Sequence, residues 1–118
     1  MRQYNRGEIW WVKLFPTKGR EMDKLRPCVV VSSDSINRYA FLRIIVPLIE
    51  WDRSFSSSFW MIKVNPSKQN GLNKTVAADA FQIRCVDAKE RFTKLIGTLE
   101  PALLEEIVAA SAICIEST

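Results

Sequence analysis

Hydrophobic positions fall in short runs, separated by polar segments rich in Asn, Asp, Ser, Gly and Pro. Residues 8–14 (EIWWVKL) combine aromatic and branched side chains and predict a strand, followed by a turn-rich segment over 15–25 that contains Pro16 and Gly19. The run 26–32 (RPCVVVS) predicts a second strand, apolar without interruption and so buried on both faces. Asp34 is placed to cap a short helical turn through Asn37 and Arg38. A third buried strand is expected over 42–49, a polar loop over 50–58, and a strand over 59–64 (FWMIKV) ended by Asn65, Pro66 and Ser67. Asn70, Gly71 and Asn73 predict a long exposed turn.

Residues 75–84 read as one or two short strands with Asp79 in the middle, an acid that needs an explanation in so apolar a segment. One helical turn is expected at 89–92 and a strand at 94–99. Pro101 suits a first helical position, and Leu103, Leu104, Ile107, Val108 and Ile115 recur at helical spacing, so the chain is expected to end in an amphipathic helix. Short, closely spaced strands with one terminal helix argue for a mainly β fold, a small antiparallel barrel. A chain of 118 residues without internal repeats is expected to form one domain over 1–118.

Composition removes several chemistries. There is no histidine, so a Ser-His-Asp triad, a two-histidine ribonuclease and a histidine-based zinc site are excluded, and acid-base work falls to Glu, Asp, Lys, Tyr or an unusual Arg. Cys28, Cys85 and Cys114 are odd in number, share no short spacing and sit in apolar stretches, which reads as reduced core thiols. No metal and no cofactor is expected. The apolar run 44–49 is far shorter than the roughly 18 to 20 residues of a membrane helix. The first residues lack the apolar stretch of a secretory signal, so a cytoplasmic protein is expected.

The net charge of +4 is unevenly spread. Residues 1–74 hold 13 basic and 6 acidic side chains, a balance of +7, whereas 75–118 hold 4 and 7, a balance of −3. The first part should face a polyanion or an acidic partner. Its densest stretch runs from Lys13 through Lys18, Arg20 and Lys24 to Arg26.

An ordered set of short motifs then carries a resemblance. Arg6-Gly7-Glu8-Ile9-Trp10-Trp11-Val12 is followed by Pro16-Thr17-Lys18-Gly19, Glu21, and Arg26-Pro27 running into a Val-rich strand that ends at Ser32-Ser33. Further along stand Asn37-Arg38, Val46-Pro47, Asn70-Gly71-Leu72, Gln82-Ile83-Arg84 with Asp87, and Gly97-x-Leu99-x-Pro101-x-Leu103-Leu104. In order and spacing this resembles the PemK/MazF toxins over nearly the whole chain. The resemblance implies an SH3-like barrel (CcdB/PemK-like) closed by a C-terminal helix. It also implies a homodimer that binds single-stranded RNA, and a cognate antitoxin whose acidic tail occupies the same groove. The implied activity is sequence-selective, metal-independent cleavage of messenger RNA.

Arg26 falls on the position of the family's catalytic arginine. A guanidinium suits forked hydrogen bonds to a phosphate that gathers charge, although a strand-end arginine paired with Asp23 fits the same residues. Glu21 matches an acid of the family loop and is a candidate proton acceptor from the ribose 2′-hydroxyl, or else a solvated loop glutamate. Lys18, Arg20 and Lys24 would contact backbone phosphates. Two residues beyond Pro47, where the family carries a Thr or Ser, this chain has Ile49, which can neither give nor take a proton. Glu50 is one residue further and therefore on the other strand face, either a substitute acid-base group or simply the start of the loop. Ser54 and Ser56 to Ser58 are further hydroxyls with no motif behind them.

Trp51 could stack a base, or pack in a core or dimer. Trp10 and Trp11 should point to opposite faces of their strand, leaving one of them free for an interface. Asp79 is a candidate RNA contact or a buried structural acid, and Arg84 a candidate phosphate contact. Three functions follow as expectations: a metal-independent endoribonuclease toxin, an attenuated RNA- or antitoxin-binding module marked by Ile49, or a gyrase-inhibiting toxin of CcdB type.

Overall fold

A single strand, β3 (Leu42–Glu50), ties the sheet together. The computed structural model describes residues 3–14, 19 and 24–116. Along one edge β3 pairs with β2 (Leu25–Val30) in the register Cys28↔Pro47, Val29↔Val46 and Val30↔Ile45. Along the other it pairs first with β6 (Arg84–Asp87), through Leu42 to Ile45, and then with β5 (Val76–Asp79), through Leu48 to Glu50. Pro47 has no N–H to give a ladder and lies where β3 passes from one partner to the next.

The remaining strands extend this frame. β1 (Glu8–Lys13) pairs with β2, β7 (Phe92–Thr98) with β1, and β4 (Met61–Val64) with β5, all antiparallel. The order is β4-β5-β3-β2-β1-β7, with β6 alongside β3. No ladder joins β4 to β7 among the described residues, so the barrel is open. The helix α3 (Pro101–Cys114) packs against β4 and against the 3-10 turn Ala80–Gln82. The mainly antiparallel fold with a terminal helix is the architecture expected from sequence.

Alternation along the strands divides the interior. Ile9, Val29, Val46, Leu48, Val64, Leu104 and Ile107 form one buried cluster under α3. Trp10, Val12, Cys28, Val30, Ile45 and Phe92 form a second on the opposite strand face. Here the rings of Tyr4, Trp10 and Phe92 meet at centroid distances of 5.0 to 5.6 Å.

Several local expectations are corrected. In α1 (Asp34–Asn37) the cap position is Ser33, and Asp34 is the first helical residue. Its carboxylate accepts from the Arg6 N–H at 2.8 Å and from Asn37 Nδ2 at 3.1 Å, pinning the N-terminal segment instead of capping. The polar stretch after β3 contains a 3-10 turn, Arg53–Ser57, started by Asp52 accepting from the Ser54 N–H. Phe59 and Trp60 form a turn before β4. Residues 75–84 divide into β5, the 3-10 turn and the start of β6. The helical turn α2 is Ala88–Arg91, and β7 begins at Phe92.

The turn at Asn70 is not exposed at that residue. Asn70 is fully buried. Its Oδ1 accepts from the N–H groups of Ser67 and Leu72, and its Nδ2 donates to the Asn65 carbonyl and to Glu100 Oε1. Ser67 Oγ donates to the other oxygen of Glu100 at 2.5 Å. Gly71, at φ +71°, lies so close to the Ile96 carbonyl that a Cβ would stand 2.2 Å from its oxygen. The turn is thereby fastened to β7 and to the start of α3, which fixes the residues that follow it.

Candidate active site

Where β1, β2 and β3 end and the residues after Asn70 come across, a cleft of about 350 Å³ opens. Its walls include Trp11, Leu25, Pro27, Leu48, Leu72 and Ile96. Among the described residues the charged ones that border it are Arg26, Glu50 and Lys74. Two residues named from sequence as catalytic candidates thus meet at one cavity, Glu50 from the strand face of Leu48 and Arg26 from that of Cys28, and a third charge comes from Lys74, which no motif singled out.

Each is placed by strand geometry. Arg26 is the second residue of β2, opposite Val12 of β1. It is half-buried, and its Nε is a buried donor without a hydrogen-bond partner among the described residues. An unsatisfied guanidinium nitrogen is costly in a resting fold and is a ready donor to an anion. Glu50 ends β3 opposite Val76. Lys74 lies in the bend two residues before Val76, and its ammonium is 3.5 Å from Glu50 Oε2. Both are well exposed, and the pair contributes little stability.

Ile49 has the opposite orientation from Glu50. Extending the Cys28↔Pro47 register by two residues sets it across from Arg26, so the position beside the arginine carries a hydrocarbon in place of a hydroxyl. Cys28, on the same strand face as Arg26, is fully buried, and burial pushes its thiol far above the usual range against the pull of Arg84 and Arg26. Arg26 and Arg84 therefore both stand near this thiol, although Arg84 does not line the cleft.

The other candidates are dispersed. Lys18, Arg20 and Glu21 lie outside the described residues, as does Asp23. Lys24 is exposed, at φ +120°, and its carbonyl closes the base of the β1–β2 connection by accepting from the Leu14 N–H. Trp51 is half-buried, with Lys63 Nζ 5.1 Å from its ring centroid and Phe55 at its edge, so its ring is already in contact. Asp79 is 5% exposed and accepts from the Phe81 N–H at 3.2 Å, capping the 3-10 turn. Burial raises its carboxyl, and the N–H groups of Phe81 and Gln82 offset part of that rise.

Trp10 is buried, and Trp11, on the opposite face, lines the cleft. Its signal in the sequence was the alternation of the strand. Lys74 had none, because a lysine in a loop acquires a place only through the tertiary contacts of Asn70. Among the described residues no group of three or more Cys, Asp or Glu side chains is arranged to hold a metal ion. No described helix is long and apolar enough to cross a membrane.

Comparison with known proteins agrees with the fold. A family model for PemK-like, MazF-like toxins of type II toxin-antitoxin systems matches residues 5–115. The chain is 33% identical over 104 residues to endoribonuclease MazF9 of Mycobacterium tuberculosis, covering 86% of this chain and 87% of that protein. It is 27% identical over 103 residues to endoribonuclease PemK of Escherichia coli, covering 87% and 75%. In fold it is similar to the crystal structure of MazF from Deinococcus radiodurans, with a TM-score of 0.83 at 17% identity over 98% of this chain and 99% of that one. A mycobacterial endoribonuclease solved with its cognate antitoxin gives a TM-score of 0.74 at 22% identity over 98% and 97%.

Proposed function

The chain belongs to the PemK-like, MazF-like toxins of type II toxin-antitoxin systems, and on that premise we propose that it is an endoribonuclease that cuts single-stranded messenger RNA at the cleft holding Arg26 and Glu50. The observation that carries the reading is that Arg26 and Glu50 both border one cleft at the ends of neighbouring strands. In the reaction the ribose 2′-oxygen forms a bond to phosphorus as the bond from phosphorus to the 5′-oxygen breaks, leaving a 2′,3′-cyclic phosphate and a 5′-hydroxyl. Arg26 donates to the non-bridging phosphate oxygens as their charge grows, a role supported by its buried Nε, which has no partner among the described residues. Glu50 takes the 2′-hydroxyl proton, a role that the hydrocarbon side chain of Ile49 cannot share. Glu21 is the other carboxylate for proton transfer, at the leaving oxygen. Lys18, Arg20, Lys24 and Arg84 hold the backbone of the RNA, and Trp11 supplies an aromatic wall at the cleft.

The protein works in the cytoplasm, as a homodimer, and a cognate antitoxin with an acidic tail competes with RNA for the basic surface. A second reading, a binding module with attenuated chemistry, is favoured by Ile49.

The test is incubation of the purified protein with a long single-stranded RNA in EDTA, alongside Arg26→Ala and Glu50→Gln. Discrete cuts with 5′-hydroxyl ends are expected, weakened by about 10² to 10³ in Arg26→Ala and strongly reduced in Glu50→Gln. RNA retarded on a gel but left whole would favour the binding module, and DNA breakage with intact RNA a CcdB-type toxin.

A further inference from the structure

We propose that Lys74 is a phosphate-binding cation of the cleft, and that its pairing with Glu50 links the binding of RNA to the release of that carboxylate. The inference rests on the reading that the cleft takes RNA, and it adds a residue that neither the motifs nor the comparisons single out. It starts from charge. Among the described residues, the ionised groups bordering the cleft are Arg26, Glu50 and Lys74. The Glu50 carboxylate by itself would repel a phosphodiester at this place. Lys74 is the cation that offsets it.

Geometry supports the assignment independently. Lys74 lies in the bend two residues before Val76, the residue that pairs with Glu50 across the β3–β5 ladder. Its ammonium lies 3.5 Å from Glu50 Oε2, so it meets an oxygen anion at the cleft. The backbone before Lys74 hangs from the buried Asn70 turn, and the backbone after it enters β5, with the Thr75 carbonyl accepting from the Trp51 N–H at 3.2 Å. Lys74 is anchored on both sides while its side chain stays exposed.

A phosphate oxygen competes with Glu50 for this ammonium. When the phosphate takes it, Glu50 loses its partner beside the incoming ribose and is free to accept the 2′-hydroxyl proton. Before that, the pair occupies the carboxylate.

Binding is read apart from cleavage with a mixed-sequence 2′-O-methyl oligoribonucleotide, which offers phosphates but no attacking hydroxyl. Lys74→Ala is expected to weaken binding across sequences and to make the slope of log affinity against log salt shallower by about 0.7, one phosphate contact on a single strand. Lys74→Arg should retain the slope, Lys74→Glu should bind more weakly than Lys74→Ala, and Glu50→Gln with Lys74→Ala should recover affinity because the anion that Lys74 offsets is gone. Unfolding midpoints confirm that these exposed variants fold. Unchanged affinity and slope in Lys74→Ala and Lys74→Glu would overturn the proposal, as would a wild type that does not hold the oligonucleotide. A wild type that binds with the expected Lys74 dependence but cuts no RNA would sink the ribonuclease reading alone.

Discussion

Gly97 of β7 lies flat against the carbonyl of Asn70. A Cβ at Gly97 would stand 2.4 Å from that oxygen, closer than any side chain is tolerated against backbone. The contact is what lets β7 and the Asn70 turn share one wall, and the turn in turn leads to Lys74. Gly97→Ala is therefore expected to cost about 1 to 3 kcal/mol, the range for overpacking a site that cannot yield. Urea unfolding of the two proteins checks it, and equal midpoints would mean that the turn can move aside.

The Asn70 turn also makes the protein acid-sensitive at a definable place. The Ser67 hydroxyl and, to a lesser degree, Asn70 Nδ2 donate to Glu100 and hold its carboxyl below the usual carboxylate range. A carboxyl lowered by folding contributes stability above its unfolded value and loses that contribution as pH falls through the folded one. The stability gap between wild type and Glu100→Gln should accordingly shrink as the medium is acidified below the ordinary carboxylate range. Unfolding midpoints taken from neutral to acid pH would show it, and a constant gap would count against a role for the charge.

Asp79 has the opposite sign. Burial raises its carboxyl, so folding favours its protonated form, and its contribution declines as pH rises through the folded value. Asp79→Asn keeps an acceptor for the Phe81 N–H without the charge and should match or exceed wild-type stability at neutral pH. Asp79→Ala should lose about 0.5 to 2 kcal/mol with the cap. Oligonucleotide affinity should be the same in Asp79→Asn as in wild type, and a rise would reveal a carboxylate that faces RNA.

The three thiols should separate in reactivity. Cys85 is exposed, Cys114 half-buried, and Cys28 buried with its thiol raised by desolvation. A thiol-reactive chromophore should modify Cys85 first, Cys114 more slowly, and Cys28 only after denaturant is added. Early labelling of Cys28 would show that the cluster around Trp10 opens in the native protein.

Strand positions were legible because β1, β2 and β3 announce themselves through local composition, and α3 through Pro101 and its apolar spacing. The 3-10 turn at 53–57 was hidden because serines carry no periodic signal. Asn70 was misread for a related reason. An Asn-Gly pair looks like a solvated turn, and only Glu100, thirty residues away in sequence, gives its amide a buried partner. The same limit applied at the cleft, where Arg26 and Glu50 could be named through the family resemblance of the motifs around them. Lys74 could not, since its place depends on contacts between segments distant in the chain.

β3 gives the molecule a mechanical property as well as a topology. It runs through both ladders and contributes Val46 and Leu48 to one cluster and Ile45 to the other. With one strand supplying both clusters, the two halves of the interior are expected to melt together, in a single cooperative transition. The cleft, bounded by three strands and a loop, should lose its shape in that same transition.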